Sequence, residues 1–177
     1  MKKYVLLVIT VLVLLIGKNV YAKDTVYSLN KYNEEELNYI LKDPTGYVVA
    51  GTFNKGTSKN KDIQILLLKY RSNNTIEWKY SYGETQEDKL YGISYTYDEN
   101  NNINGYLLVV EETTKEEKET SPTFLKIDLE GKLVTEKSCY LSPSTEITNI
   151  MENEFGYIIS GQKDGVAFLA QYNQELD

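Results

Sequence analysis

Three copies of one short unit constrain this chain more than any other feature. Gly46-Tyr47-Val48-Val49-Ala50-Gly51 returns as Gly105-Tyr106-Leu107-Leu108-Val109-Val110 and again as Gly156-Tyr157-Ile158-Ile159-Ser160-Gly161. Each copy is followed by a second apolar run: Ile65–Tyr70, Thr123–Ile127 and Val166–Tyr172. A self-similar period of roughly 50 residues is the mark of a repeat architecture.

The runs themselves read as strands. Tyr, Val, Ile and Thr fill short segments punctuated by Gly, Asn and Asp, the pattern of an all-β chain. The second unit predicts four strands: Thr75–Tyr82, Lys89–Tyr97, Gly105–Thr113 and Pro122–Asp128. Ile76-Glu77-Trp78-Lys79-Tyr80 alternates apolar and polar, the period of a half-buried strand. Arg71-Ser72-Asn73-Asn74, Leu129-Glu130-Gly131-Lys132 and the longer loop Asp98–Asn104 supply Asn or Gly where a tight hairpin needs positive φ. Glu34–Lys42 has some helical character, but its equivalence to Glu146–Glu152 predicts a strand. Thr114–Glu119 has no apolar face and predicts a solvated loop.

The outermost strands set the phase. Thr25–Tyr32 matches Thr75–Tyr82 and Lys132–Tyr140, so the repeats divide at about 25–74, 75–131 and 132–177. The run Val166–Tyr172 lacks the strand that follows its counterparts, and the strand at 25–32 is of that missing kind. In a closed ring it would complete the last sheet, removing open edges that invite aggregation.

The units resemble the propeller-like repeats of bacterial exported proteins, in the style of Kelch and quinoprotein blades. The residues that carry the likeness are Gly46–Gly51, Leu67-Leu68-Lys69-Tyr70, Thr75-Ile76-Glu77-Trp78 and Tyr82-Gly83. It covers about residues 25–177. The resemblance implies three four-stranded antiparallel blades. Val110 replaces the second Gly of the unit, and no Trp occurs in Lys132–Tyr140, which marks a degenerate array. Propellers usually have about four to eight blades. Three units therefore imply a partial or truncated propeller, a compact three-sheet arrangement, or copies that associate to finish a ring.

The N-terminus has the layout of a secretory leader. Lys2 and Lys3 precede an apolar run, Val5–Ile16, and Val20-Tyr21-Ala22 offers a cleavage site after Ala22. The run is shorter than the roughly 20 residues of a spanning helix. The expectation is a signal peptide at 1–22, a repeat domain at 23–177, and a secreted or cell-surface bacterial protein with no stable membrane span once the leader is removed. The net charge is −7, and the leader contributes only basic residues, so the remainder is more acidic still. Such a surface disfavours nucleic acid and anionic membranes. Cys139 is the only cysteine, which excludes an intrachain disulfide, and its strand pattern predicts a small buried apolar residue.

The chemistry is sparse. The chain has no His, so Ser-His-Asp and Cys-His nucleophiles are excluded, along with the common zinc sites. Asp98-Glu99-Asn100-Asn101-Asn102 begins like a calcium loop, but Ile103 stands where Gly is needed, so a hairpin turn is expected. No catalytic, cofactor or metal residue is assigned. The 16 Tyr and the single Trp78 are expected in sheet packing, with shared roles for Tyr47, Tyr106 and Tyr157 and for Tyr32, Tyr82 and Tyr140.

Up-and-down strands place alternate connections on alternate faces. One face carries the tight turns. The other carries Asn54–Lys61, Gly83–Asp88, Thr113–Ser121 and Leu141–Thr145, which differ between copies. Variable loops on a rigid scaffold tend to hold function. The candidate binding residues are Lys55, Lys59 and Lys61 in one loop and Glu84, Glu87 and Asp88 in another. The expected function is a non-catalytic exported module for protein or glycan contacts. The alternatives are a truncated or degenerate fragment without independent activity and a carbohydrate-active enzyme.

Overall fold

The computed structural model describes residues 33–83, 87–113, 122–142 and 145–177. The leader, Thr25–Tyr32, Glu84 and Thr114–Glu119 lie outside them. Among the described residues the chain forms strands only: β1 (Asn33–Asp43), β2 (Gly46–Asn54), β3 (Ile63–Arg71), β4 (Ile76–Tyr82), β5 (Lys89–Tyr97), β6 (Ile103–Glu111), β7 (Thr123–Asp128), β8 (Leu133–Ser138), β9 (Thr145–Asn153), β10 (Gly156–Lys163) and β11 (Val166–Tyr172). They build three open antiparallel sheets, β1-β2-β3-β4, β5-β6-β7-β8 and β9-β10-β11. The repeat phase counted from Thr75 and the sheet phase counted from Asn33 differ by one strand.

The repeat is physical as well as textual. β1 and β2 lose register between Leu37 and Tyr39, opposite Gly51 and Ala50. β5 and β6 do so between Leu90 and Gly92, opposite Val110 and Val109. β9 and β10 do so opposite Ser160 and Gly161. One bulge thus recurs at the same place in all three sheets. The leading glycine has one cause as well. A Cβ on Gly46, Gly105 or Gly156 would strike the carbonyl oxygen of Tyr70, Ile127 or Tyr172, each on the neighbouring third strand. Only glycine lets those backbones approach so closely.

The unbroken apolar run of β6 reflects a sheet covered on both faces, because successive side chains point to opposite sides. Tyr106, Leu108 and Val110 join Leu125 and Ile127 in a core with Val48, Ala50, Ile65 and Leu67 of the first sheet. Leu107, Val109 and Phe124 join Tyr157, Ile159, Ile147, Ile150 and Tyr172 in a second core with the third sheet. The middle sheet is the filling between the other two. Tyr39 and Leu41 pack against the first of these cores, which is why Glu34–Lys42 is a strand: its alternation serves a sheet face.

Tyrosines tie the layers. Across the first interface Tyr39 Oη donates to the Tyr91 carbonyl at 2.8 Å and Tyr106 Oη donates to Asp43 at 2.6 Å. Trp78 Nε1 donates to the Leu129 carbonyl at 2.8 Å, and its ring lies over Gly131 and 6.1 Å from Tyr106. Across the second interface Tyr172 Oη donates to the Cys139 carbonyl at 2.6 Å and meets Phe124 edge-on at 4.8 Å. Tyr140 departs from its expected role. β8 ends at Ser138, the chain turns with φ of 54° at Tyr140, and that side chain is 77% exposed. Cys139 lies just beyond the strand, yet it is buried as a free thiol in the second core.

Candidate functional site

The connections opposite the tight turns begin with 55–62, between β2 and β3. Asn54 is buried, and its Oδ1 accepts the amides of Gly56 at 2.9 Å and Asp62 at 3.1 Å. Lys55 N donates to Asp62 O at 2.8 Å, and Thr57 N donates to Asn60 O at 2.9 Å. This is a loop with its own hydrogen-bonded frame, which holds its lysines outward.

The next connection docks onto it. Glu87 forms a parallel bridge with Ile63, and Asp88 N donates to Ile63 O at 2.9 Å. Thr113, at the end of the following strand pair, donates its amide to Asp88 Oδ1 at 2.9 Å and its hydroxyl to the Glu87 carbonyl at 3.1 Å. Gly83 has φ of 109°, and the Asp88 carboxylate fills the space a Cβ would occupy there. Asp88 is therefore buried and staples three connections together, while its neighbour Glu87 faces solvent.

Together these segments form an open cleft of about 590 Å³ lined by Ser58, Lys59, Lys61, Glu87, Lys89 and Thr113. The structure thus brings together Lys59, Lys61 and Glu87 of the predicted residues. Lys55 is exposed on the same loop but does not line the cleft, and Glu84 lies outside the described residues. Sequence reasoning missed Lys89 and Thr113. Lys89 opens β5, and Thr113 begins the loop Thr113–Ser121, which the sequence placed on this face without singling out that residue; its bonds to Asp88 and Glu87 hold it at the cleft. Lys61 Nζ is 3.0 Å from Glu34, and Lys89 Nζ is 3.1 Å from Glu111; both lysines stay near half exposed. The Lys61–Glu34 pair is exposed on both sides and worth about 0–1 kcal/mol, so that ammonium is cheap to redirect, whereas Lys89 leans on the buried Glu111 carboxylate.

The tight-turn end carries an open cleft of about 630 Å³ whose lining includes Asp98, Glu99, Glu154 and Glu175. Asp98 Oδ1 accepts the amides of Asn100 at 2.9 Å and Asn102 at 2.8 Å, which accounts for the calcium-like spacing as a turn. Those turn bonds hold its carboxyl below the ordinary range. No group of three or more acidic or sulfur ligands suited to a metal occurs among the described residues. No helix among them is long and apolar enough to cross a membrane.

The strongest electrostatics lie inside the first interface. Asp43 is buried against the Lys69 ammonium, Tyr106 Oη, and the amide and hydroxyl of Thr45, both at 2.7 Å. Burial by itself raises its pKa. The bonds from Lys69, Tyr106 and Thr45 outweigh that and hold the carboxyl far below the usual range. Tyr106 is raised, first by burial and then by Asp43. A fixed carboxylate and a proton-retaining phenol make a structural clasp, not an acid–base pair poised near neutrality.

The chain matches no protein-family model and no curated protein.

Proposed function

We propose that the chain is an exported, non-catalytic contact module that binds a protein or glycan partner at the cell surface through its loop face. The observation that carries this reading is the cleft. In a chain of net charge −7, three lysines, Lys59, Lys61 and Lys89, converge there; Glu87 lines the same cleft, and Lys61 and Lys89 lean on Glu34 and Glu111. Three ammonium groups gathered on one braced surface can be offered to an anionic group on the partner, such as a carboxylate or sulfate. The loops that shape the cleft are braced by buried Asn54 and Asp88, as expected of a preorganised binding surface.

The sheets are read as blades of a partial propeller. Support comes from the common antiparallel order, the recurring bulge, and the approach of β5 to β9, the first strands of the second and third sheets. The leader is read as a cleaved signal peptide, and N-terminal sequencing of protein made in an exporting host should begin at Lys23.

Binding is tested on an array of acidic and neutral oligosaccharides and peptides, comparing the native chain with the variant Lys59→Gln/Lys61→Gln/Lys89→Gln, which keeps a donor for Glu34 and Glu111. The expected result is retention of acidic probes by the native chain and a loss of at least tenfold in the variant, with unchanged thermal unfolding. Equal binding by both proteins, or a preference for neutral probes, overturns the reading.

A further inference from the structure

The third sheet has an edge unlike the others. In the first two sheets the third strand is covered by a fourth, β4 on β3 and β8 on β7, running antiparallel. Among the described residues β11 pairs with β10 alone. Among the described residues no strand lies on its other side, and the amides and carbonyls of a strand edge are a template for another strand.

The turn that leads to a fourth strand is nonetheless built. Asp128 N donates to Lys132 O at 2.9 Å, Gly131 N to Asp128 O at 3.1 Å, and Lys132 N to Asp128 Oδ1 at 2.8 Å. The same three bonds recur after β11: Asn173 N to Asp177 O at 3.1 Å, Leu176 N to Asn173 O at 3.0 Å, and Asp177 N to Asn173 Oδ1 at 2.9 Å. Gly131 and Leu176 share positive φ, 83° and 67°. The turn covers Asn173 and thereby bounds the open edge to Val166–Tyr172.

That edge carries no charge. The other edge strands of the described sheets do: β1 has Glu34, Glu35, Glu36, Lys42 and Asp43, β4 has Glu77 and Lys79, β5 has Lys89, β8 has Glu136 and Lys137, and β9 has Glu146 and Glu152. Edge charges block pairing between copies. Val166-Ala167-Phe168-Leu169-Ala170-Gln171-Tyr172 has none, and Val166 and Leu169 stand 69% and 77% exposed.

We propose that β11 pairs antiparallel with β11 of a second copy of this chain, joining two third sheets into one across a two-fold axis at Leu169. This goes beyond the loop-face reading and uses a different surface. A two-fold copy runs in the direction β4 and β8 take on their sheets. The bounded edge fixes the register: Val166 lies opposite Tyr172 of the second copy, and Leu169 lies opposite itself. Like charge makes an acidic chain resist self-association, and β11 contributes none of that charge. A single strand pair is a small contact, so the dimer is weak and depends on concentration.

Residues directly opposite in an antiparallel pair have Cα atoms about 4.5–5.5 Å apart, within disulfide reach. The full chain carrying Leu169→Cys is therefore oxidised with copper phenanthroline, beside Val134→Cys as an exposed control on β8. Buried Cys139 stays silent in both. The expected result is a disulfide-linked dimer from L169C at least tenfold faster than from V134C. In sedimentation the native chain shifts from monomer to dimer between micromolar and millimolar concentration, whereas Leu169→Lys stays monomeric with unchanged thermal unfolding. A native chain that is monomeric throughout, cross-linking equal to V134C, or a dimer that persists in L169K overturns the proposal and leaves the edge to a strand of another kind.

Discussion

Tyr106 of β6 donates its hydroxyl to Asp43 of β1 at 2.6 Å, across the interface between the first two sheets. The two residues are 63 positions apart in sequence, and both are buried. Lys69 of β3 and Thr45 complete the carboxylate's shell. Removing one partner of a buried charged group leaves that group short of a bond, which costs more than the bond's net contribution. Tyr106→Phe is expected to lower stability by about 1.5–3 kcal/mol. Lys69→Met strips the buried carboxylate of its counter-ion and is expected to cost about 3–5 kcal/mol. Urea unfolding of the two variants measures both, and the order K69M worse than Y106F is the diagnostic result.

The same clasp predicts the acid limb of stability. Asp43 is held below its unfolded value near 3.9. A depressed carboxyl stabilises the fold above that value, and the contribution is lost as pH falls from about 4 toward the folded pKa. Y106F removes one of the bonds that lower Asp43, so its acid-unfolding midpoint should move to higher pH than that of the native chain. Circular dichroism across pH 2–6 reads the shift.

Tyrosine chemistry predicts the alkaline limb. Burial raises Tyr157 and Tyr172 to about 12, and Tyr82, Tyr91 and Tyr106 are raised further by burial and by neighbouring carboxylates. An unfolded tyrosine ionises near 10. The native state therefore keeps protons that the unfolded state gives up, and stability is full below pH 10 and falls as pH rises toward 12. Phenolate absorbance near 295 nm should show these tyrosines appearing together with loss of structure, after the exposed ones have titrated.

The leading glycine of the repeat is testable by one methyl group. A Cβ at Gly46 would overlap the Tyr70 carbonyl, and at Gly156 the Tyr172 carbonyl. These are backbone atoms with no rotamer to yield, so Gly46→Ala should cost about 1–3 kcal/mol or more through overpacking. Gly165, in the β10–β11 turn, has open space around it and φ of 78°. Gly165→Ala pays only for the left-handed backbone, about 1–2 kcal/mol. Thermal unfolding should rank G46A below G165A.

Much of this fold was legible because the repeat fixed it three times over. Glu34–Lys42 taken alone reads partly as helix; its equivalence to Glu146–Glu152 made it a strand, and β1 is one. Lys89–Tyr97 was placed to the residue. The run Tyr106–Val110 announced burial, but not that its even and odd residues enter two separate cores, because the sequence does not say what covers each face. Tyr140 misled: its alignment with Tyr82 implied shared packing, yet the turn after Ser138 ejects it. Loop proximity was half legible. Lys59, Lys61 and Glu87 line one cleft, where the sequence put their loops only on one face, and buried Asp88, which holds their loops together, reads in sequence like any surface acid.

Cys139 gives the sharpest test of the second core. It is 1% exposed, packs in the cluster with Phe124, Tyr157 and Tyr172, and presents its carbonyl to Tyr172 Oη at 2.6 Å. Burial pushes its thiol up to about 12, against roughly 8.5 for a free cysteine. The thiolate is the reactive form, so the native thiol is shielded twice, by access and by protonation. At pH 8 a thiol-exchange reagent should modify it at least a hundredfold more slowly in the native chain than in urea. Phe124→Ala should lower stability by about 3–5 kcal/mol. In that variant the thiol is unmasked at lower urea, because the same packed layer excludes the reagent and holds the second and third sheets together. Fast native labelling would mean that the two sheets part readily, in conflict with a Tyr172 hydroxyl fixed on the Cys139 carbonyl.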